Sequence, residues 1–128
     1  MAAASRPLRK NNVHFVGSSR KDLQALPKGV RAVFGYAILT AELGGKHPDA
    51  KPLQGFGGAG VLEVVEDSDG DTYRAVYTVK FGNTVYVLHA FKKKSKVGYK
   101  TPPRDLEIIT TRLKVAENHY KKSQLKKK

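Results

Sequence analysis

The sequence predicts an α+β fold with the element order β-α-α-β-β-β-α: an antiparallel sheet, N-terminal helices packed on one face, and a C-terminal helix. Three observations carry that reading. Val30, Val33, Phe34, Ala37, Ile38 and Ala41 recur at helical spacing and make one apolar stripe. Residues 60–66, 72–81 and 84–91 are β-type runs separated by short polar turns. Leu106, Ile109, Leu113, Ala116 and Tyr120 then form a second helical stripe. Strands joined by turns this short must be antiparallel neighbours. Helices gathered before and after the strands imply a sandwich of roughly two layers.

In chain order, residues 1–12 are polar and basic and read as a flexible arm. Residues 13–17, VHFVG, form a short strand, and Ser18 or Ser19 caps a helix through Asp22. Pro27 either breaks that helix or opens a second one, since the first helical turn tolerates proline. Gly44-Gly45 ends it. Residues 46–60 are a loop rich in Gly and Pro that holds Lys46, His47 and Lys51 before LQGFGGAG. That glycine run precedes a strand rather than a helix, which makes it a poor phosphate cradle. The acidic turn DSDGD at 67–71 and Gly82-Asn83 supply the hairpin turns, because Asp, Asn and Gly tolerate positive φ. Thr101 caps the last helix, Pro102-Pro103 fits its first turn, and Asp105 and Glu107 favour the positive end of its dipole. A single domain over residues 13–120 and a basic tail over 121–128 complete the division.

The charge balance narrows the function. The 128 residues hold 24 Lys+Arg against 11 Asp+Glu, a formal net charge of +13, which calls for an anionic partner. No apolar run approaches the roughly 20 residues of a membrane span, and the N-terminus has no apolar core of a secretory signal. Without cysteine there is no disulfide, thiolate metal site or Cys nucleophile, and a reducing cytoplasm is the expected location.

Chemistry concentrates on the hairpin of residues 72–91 and its exit. Arg74 interrupts an apolar strand, His89 lies in the next, and Lys92, Lys93, Lys94 and Lys96 follow at once. Arg, His and a lysine cluster on one rigid support suit a phosphodiester better than a small neutral metabolite. Alternation puts Tyr73, Ala75, Tyr77, Val79 and Phe81 on one face and Arg74, Val76, Thr78 and Lys80 on the other. It also turns Lys93 away from Lys92 and Lys94. Each residue has a plainer alternative. Arg74 fits an ion pair with Glu63, His89 a hydrogen-bonded structural histidine, the lysines a solvated charge run, and Tyr99 packing for the last helix. His14, His47, His89 and His119 are too scattered in sequence to mark a metal site.

Three stretches carry a resemblance: the K-P-L-x-G loop at 51–55, the Tyr-Arg-x-x-Tyr strand at 73–77, and the F-K-K-K-S…T-P junction from 91 to 102. With the order of elements, residues 41–116 resemble the phage-derived, RelE/HigB-like toxins of type II toxin–antitoxin systems. The resemblance implies a compact RelE-like fold and an mRNA interferase, an endoribonuclease acting on translated mRNA at the ribosome. It implies a cognate antitoxin, often a helix-turn-helix protein, and no cofactor. By position, Arg74 matches the arginine at the scissile phosphate and Lys92, Lys93 and Lys94 the basic group after the last strand. Lys51 matches a basic loop position and Tyr99 an aromatic that stacks on RNA. Lys96 joins them as an RNA contact. Attack by the 2′-hydroxyl needs a base, a charge stabiliser for the phosphorane and an acid for the leaving 5′-oxygen. Arg74 fits the second role, and His89 or a lysine with its pKa moved toward neutrality fits the others. The superfamily also holds gyrase poisons and members with degraded sites. A noncatalytic protein-target inhibitor and an inactive basic nucleic-acid-binding module are therefore the alternatives.

Overall fold

The computed structural model describes residues 11–58, 60–93 and 101–126. The order is β1 (Asn12–Phe15), α1 (Ser19–Gln24), α2 (Lys28–Glu42), β2 (Lys51–Pro52), β3 (Val61–Ser68), β4 (Asp71–Phe81), β5 (Thr84–Lys93) and α3 (Pro103–Lys126). The strands form one sheet in the order β1-β5-β4-β3-β2. Four strands run antiparallel, while β1 pairs parallel with β5, so that Val13 lies beside Val85 and Phe15 beside Val87. The two-residue β2 is a short edge strand beyond the expected elements; proline is tolerated there because an edge strand has a free side.

Local chemistry sets the turns. Asp69 and Gly70 link β3 to β4 with φ of 50° and 82°. Positive φ at both central residues is the type I′ hairpin that twisted strands prefer. At the next turn Gly82 has φ 58°, and a Cβ there would collide with the Tyr120 hydroxyl of α3. Pro27 immediately precedes α2, and Gly44, at φ 87°, follows its end.

The sheet is buried on both faces, which corrects the two-layer expectation. On one face α2 packs Val30, Phe34, Ala37, Ile38 and Ala41 onto Leu62, Val64, Tyr73, Ala75, Tyr77, Val85 and Val87. On the other, Ile109 and Ala116 of α3 pack with Val61, Val76, Tyr86, Leu88 and Phe91. The cause lies in β4 and β5, where residues 73–78 and 85–91 are buried without interruption. A strand that is apolar on both faces needs cover on both. The final helix also runs through residues 121–126, where the sequence reading placed a tail. A Glu117–Lys121 pair at 3.7 Å lies one turn apart there and supports the extension.

Candidate functional site

Strand register assembles the site on the face that α3 covers. Arg74 sits opposite Val65 of β3 and Phe91 of β5, and Val76 opposite Glu63 and His89. Glu63 is therefore the diagonal neighbour of Arg74, within reach of a long side chain. A bulge on β5 skips Leu88 between the pairs Val76–His89 and Tyr77–Val87. Under strict alternation His89 would share a face with Val85 and Val87, which pack toward α2. The extra residue turns His89 to the α3 side with Arg74 and Phe91.

Both residues are held there by named partners. Arg74 Nη1 donates to Glu63 Oε2 at 2.8 Å and to Thr101 Oγ1 at 3.2 Å. Arg74 is only 4% exposed, whereas Glu63, at 16%, keeps a path to water. The ion pair considered as the plainer reading of Arg74 is thus present. Thr101, expected as a helix cap, offers its hydroxyl to Arg74 instead. Asp105 lies four residues after Thr101, in the first turn of α3.

His89 is 6% exposed. Its Nε2 lies 2.8 Å from Asp105 Oδ1, in the first turn of α3. The imidazole stacks on the Phe91 ring, with centroids 4.5 Å apart and planes 18° apart. Its Nδ1 is buried and has no hydrogen-bond partner among the described residues. Sequence reasoning treated Asp105 only as a complement to the helix dipole, and Glu63 only as a possible partner for Arg74. Nothing in the linear pattern signals that His89, 16 positions upstream, is the group Asp105 binds.

The lysines divide between the faces. Lys93 lies opposite Thr72, on the side of Arg74, and Lys92 opposite Tyr73, on the α2 side. Lys92 Nζ meets Asp71 Oδ2 at 3.1 Å. That hydrogen bond and the carboxylate charge raise its pKa above the ordinary lysine value. The shift expected for a lysine there, toward neutrality, runs the other way at Lys92. Lys51, exposed on β2, lies opposite Glu63 in the strand register and so belongs to the same face. Lys94, Lys96 and Tyr99 lie outside the described residues.

A second cluster lies between β1, β5 and the far part of α3. His14 stacks on His119 at 4.2 Å, and the Tyr86 hydroxyl lies 2.8 Å from His119 Nδ1. Burial, and secondarily the His119 charge, lower the His14 pKa, while burial and then Tyr120 raise that of Tyr86. These histidines, distant in sequence, meet because β1 pairs with β5 beneath α3. Among the described residues no group of three or more His, Cys, Asp or Glu is placed to hold a metal, and no helix is long and apolar enough to cross a membrane.

Comparison with known proteins gives a family and a fold. Residues 21–114 match the family described as phage derived protein Gp49-like. An E. coli RelE toxin, a double arginine-to-alanine mutant in the free state, aligns with a TM-score of 0.54 and 17% identity, covering 82% of this chain and 96% of that one. The RelBE2 toxin–antitoxin complex of Mycobacterium tuberculosis aligns with a TM-score of 0.42 and 26% identity, covering 63% and 95%. No curated protein matches significantly. The fold is RelE-like.

Proposed function

The chain belongs to the phage-derived Gp49-like family, and from that premise we propose that it is the toxin of a type II toxin–antitoxin pair, a ribosome-dependent endoribonuclease acting on translated mRNA in the cytoplasm. One observation carries the catalytic part. Register and a bulge bring Arg74, His89 and Lys93 to the same face of the sheet, beside the start of α3. The RelE-like fold and the net charge of +13 support an RNA substrate.

The 2′-oxygen attacks phosphorus while the bond to the 5′-oxygen breaks, leaving a 2′,3′-cyclic phosphate and a 5′-hydroxyl. His89 handles the 2′ proton. The planar fork of Arg74 bridges two phosphate oxygens and stabilises the phosphorane, which a point-charge ammonium does less well. Lys93 is assigned to the leaving oxygen. Lys51, Lys92, Lys94 and Lys96 hold the RNA backbone, and Tyr99 offers a stacking surface. The partner is a cognate antitoxin, of helix-turn-helix type by resemblance, that covers the basic face.

One observation favours the noncatalytic alternative: Arg74 is buried in an ion pair, as a structural arginine would be. Primer extension on cellular mRNA after brief induction separates the readings. Discrete in-frame cuts with the wild type, absent with Arg74→Met, are expected. Growth arrest with intact mRNA would replace the nuclease by a protein-target poison, and intact mRNA without arrest would leave a binding module.

A further inference from the structure

We propose that Asp105 is a positioning residue that holds His89 in its Nε2–H tautomer and so presents Nδ1 as the base taking the 2′ proton; this rests on the nuclease reading above. The argument starts from hydrogen-bond accounting. An ionised Asp105 only accepts, so at 2.8 Å the hydrogen between it and Nε2 belongs to the imidazole. Among the described residues Nδ1 is buried without a partner. A proton there would be a buried donor without an acceptor among the described residues, which is unfavourable. The neutral ring therefore carries its hydrogen on Nε2 and a lone pair on Nδ1. Phe91 fixes the plane of the ring by stacking.

Nδ1 is covered in this structure; RNA that uncovers it brings the 2′-hydroxyl to the ring's one open acceptor, and in donating there the hydroxyl meets its base. When the 2′ proton moves to Nδ1, the ring becomes imidazolium. The Asp105 carboxylate then faces a positive charge that it did not face in the ground state. Its attraction grows along the reaction coordinate, which is the condition for an interaction to accelerate chemistry rather than only bind. Asp105 touches neither RNA nor phosphate in this scheme and acts entirely through His89. Its place in the first turn of α3 makes the helix the mount for the carboxylate. The Leu88 bulge delivers the imidazole to it from the sheet.

The test uses the full chain labelled with 15N-histidine, together with cleavage of a translated mRNA on ribosomes. Long-range 1H–15N spectra of the wild type should show His89 as the Nε2–H tautomer. Asp105→Asn should disturb that tautomer and reduce cleavage about 100-fold, the scale of a misdirected acid–base residue, with an unchanged circular dichroism spectrum. A wild-type spectrum showing Nδ1–H overturns the proposal without any variant. So does an Asp105→Asn protein that cleaves within twofold of wild type while His89→Ala is inactive, and in that case the nuclease reading survives. A wild type that leaves translated mRNA intact removes the nuclease reading, and the role of Asp105 with it.

Discussion

The Glu63–Arg74 pair allows a stability prediction with a built-in asymmetry. Replacing Glu63 by Leu removes the carboxylate that faces the Arg74 guanidinium, which is 4% exposed. Removing one partner of a buried pair typically costs about 3–5 kcal/mol. Thr101 still accepts from Nη1, which brings the expectation to about 2–3 kcal/mol. Replacing Arg74 by Met instead strands Glu63, which is 16% exposed and can turn toward water. That loss should be about 1 kcal/mol, nearer the value of an exposed pair. In the double variant two apolar side chains of similar length meet, and such replacements are often close to neutral. Urea unfolding followed by far-UV circular dichroism measures all four proteins. The melting temperature of Glu63→Leu should fall by about 10 °C, at about 4 °C per kcal/mol for a domain of this size. Equal losses in the two single variants, or additive losses in the double, would refute the picture of a buried cation kept in place by its carboxylate. The outcome also guards the functional test: if Arg74→Met costs only about 1 kcal/mol, missing mRNA cuts report chemistry rather than unfolding.

Three more expectations follow from side chains away from that pair. Tyr77 is buried, its hydroxyl has no hydrogen-bond partner among the described residues, and burial pushes its pKa up to about 12. Tyr77→Phe should be neutral or stabilising by about 1 kcal/mol, and a loss above that in urea unfolding would point to a partner for the hydroxyl. His14 has its pKa lowered below 6.5, so the unfolded chain takes up protons first; the contribution is intact above 6.5 and lost as pH falls through the folded value. Urea midpoints between pH 7.5 and 5 should therefore fall less steeply for His14→Phe than for the wild type, and parallel profiles would count against the linkage. Gly82→Ala combines positive φ with a collision against Tyr120 and should lose at least about 1 kcal/mol. An unchanged melting temperature would mean that the hairpin tip and α3 move apart freely.

The sequence disclosed the elements better than their assembly. The stripe from Val30 to Ala41 and the stripe from Leu106 to Tyr120 each predicted a helix; the first packs on one face of the sheet, and Ile109, Leu113, Ala116 and Tyr120 of the second on the other. The hairpins were legible because Asp69-Gly70 and Gly82-Asn83 have few other uses between apolar runs. The third layer was not, because alternation on β4 suggests a solvated face and does not reveal that Val76 and Thr78 are as buried as Ala75 and Tyr77. Two residues of pairing at Lys51–Pro52 are too few for any periodic signal. At the site, Arg74 and His89 were visible as polar residues in apolar strands. Their shared face was not, because strict pleat counting sends His89 to the wrong side and only the bulge at Leu88 corrects it. Asp105 looked like a helix-dipole residue because its partner belongs to a strand. The same limit hid the contact of His14 with His119, which exists only once β1 has paired with β5.

That parallel pairing also orders events in time. The first strand of the sheet finds its neighbour only after Thr84–Lys93 has been synthesised, and the sheet is covered on its second face only when α3 arrives. Arg74 and Glu63 belong to one hairpin and can meet early, as local contacts do. Asp105 follows His89 by 16 residues, about 1–3 s of elongation at roughly 5–20 residues per second. Throughout that interval the growing chain carries its arginine and its histidine but not the carboxylate that orients the imidazole. The step that finishes the α3 face of the sheet is thus the docking of the last helix to be made.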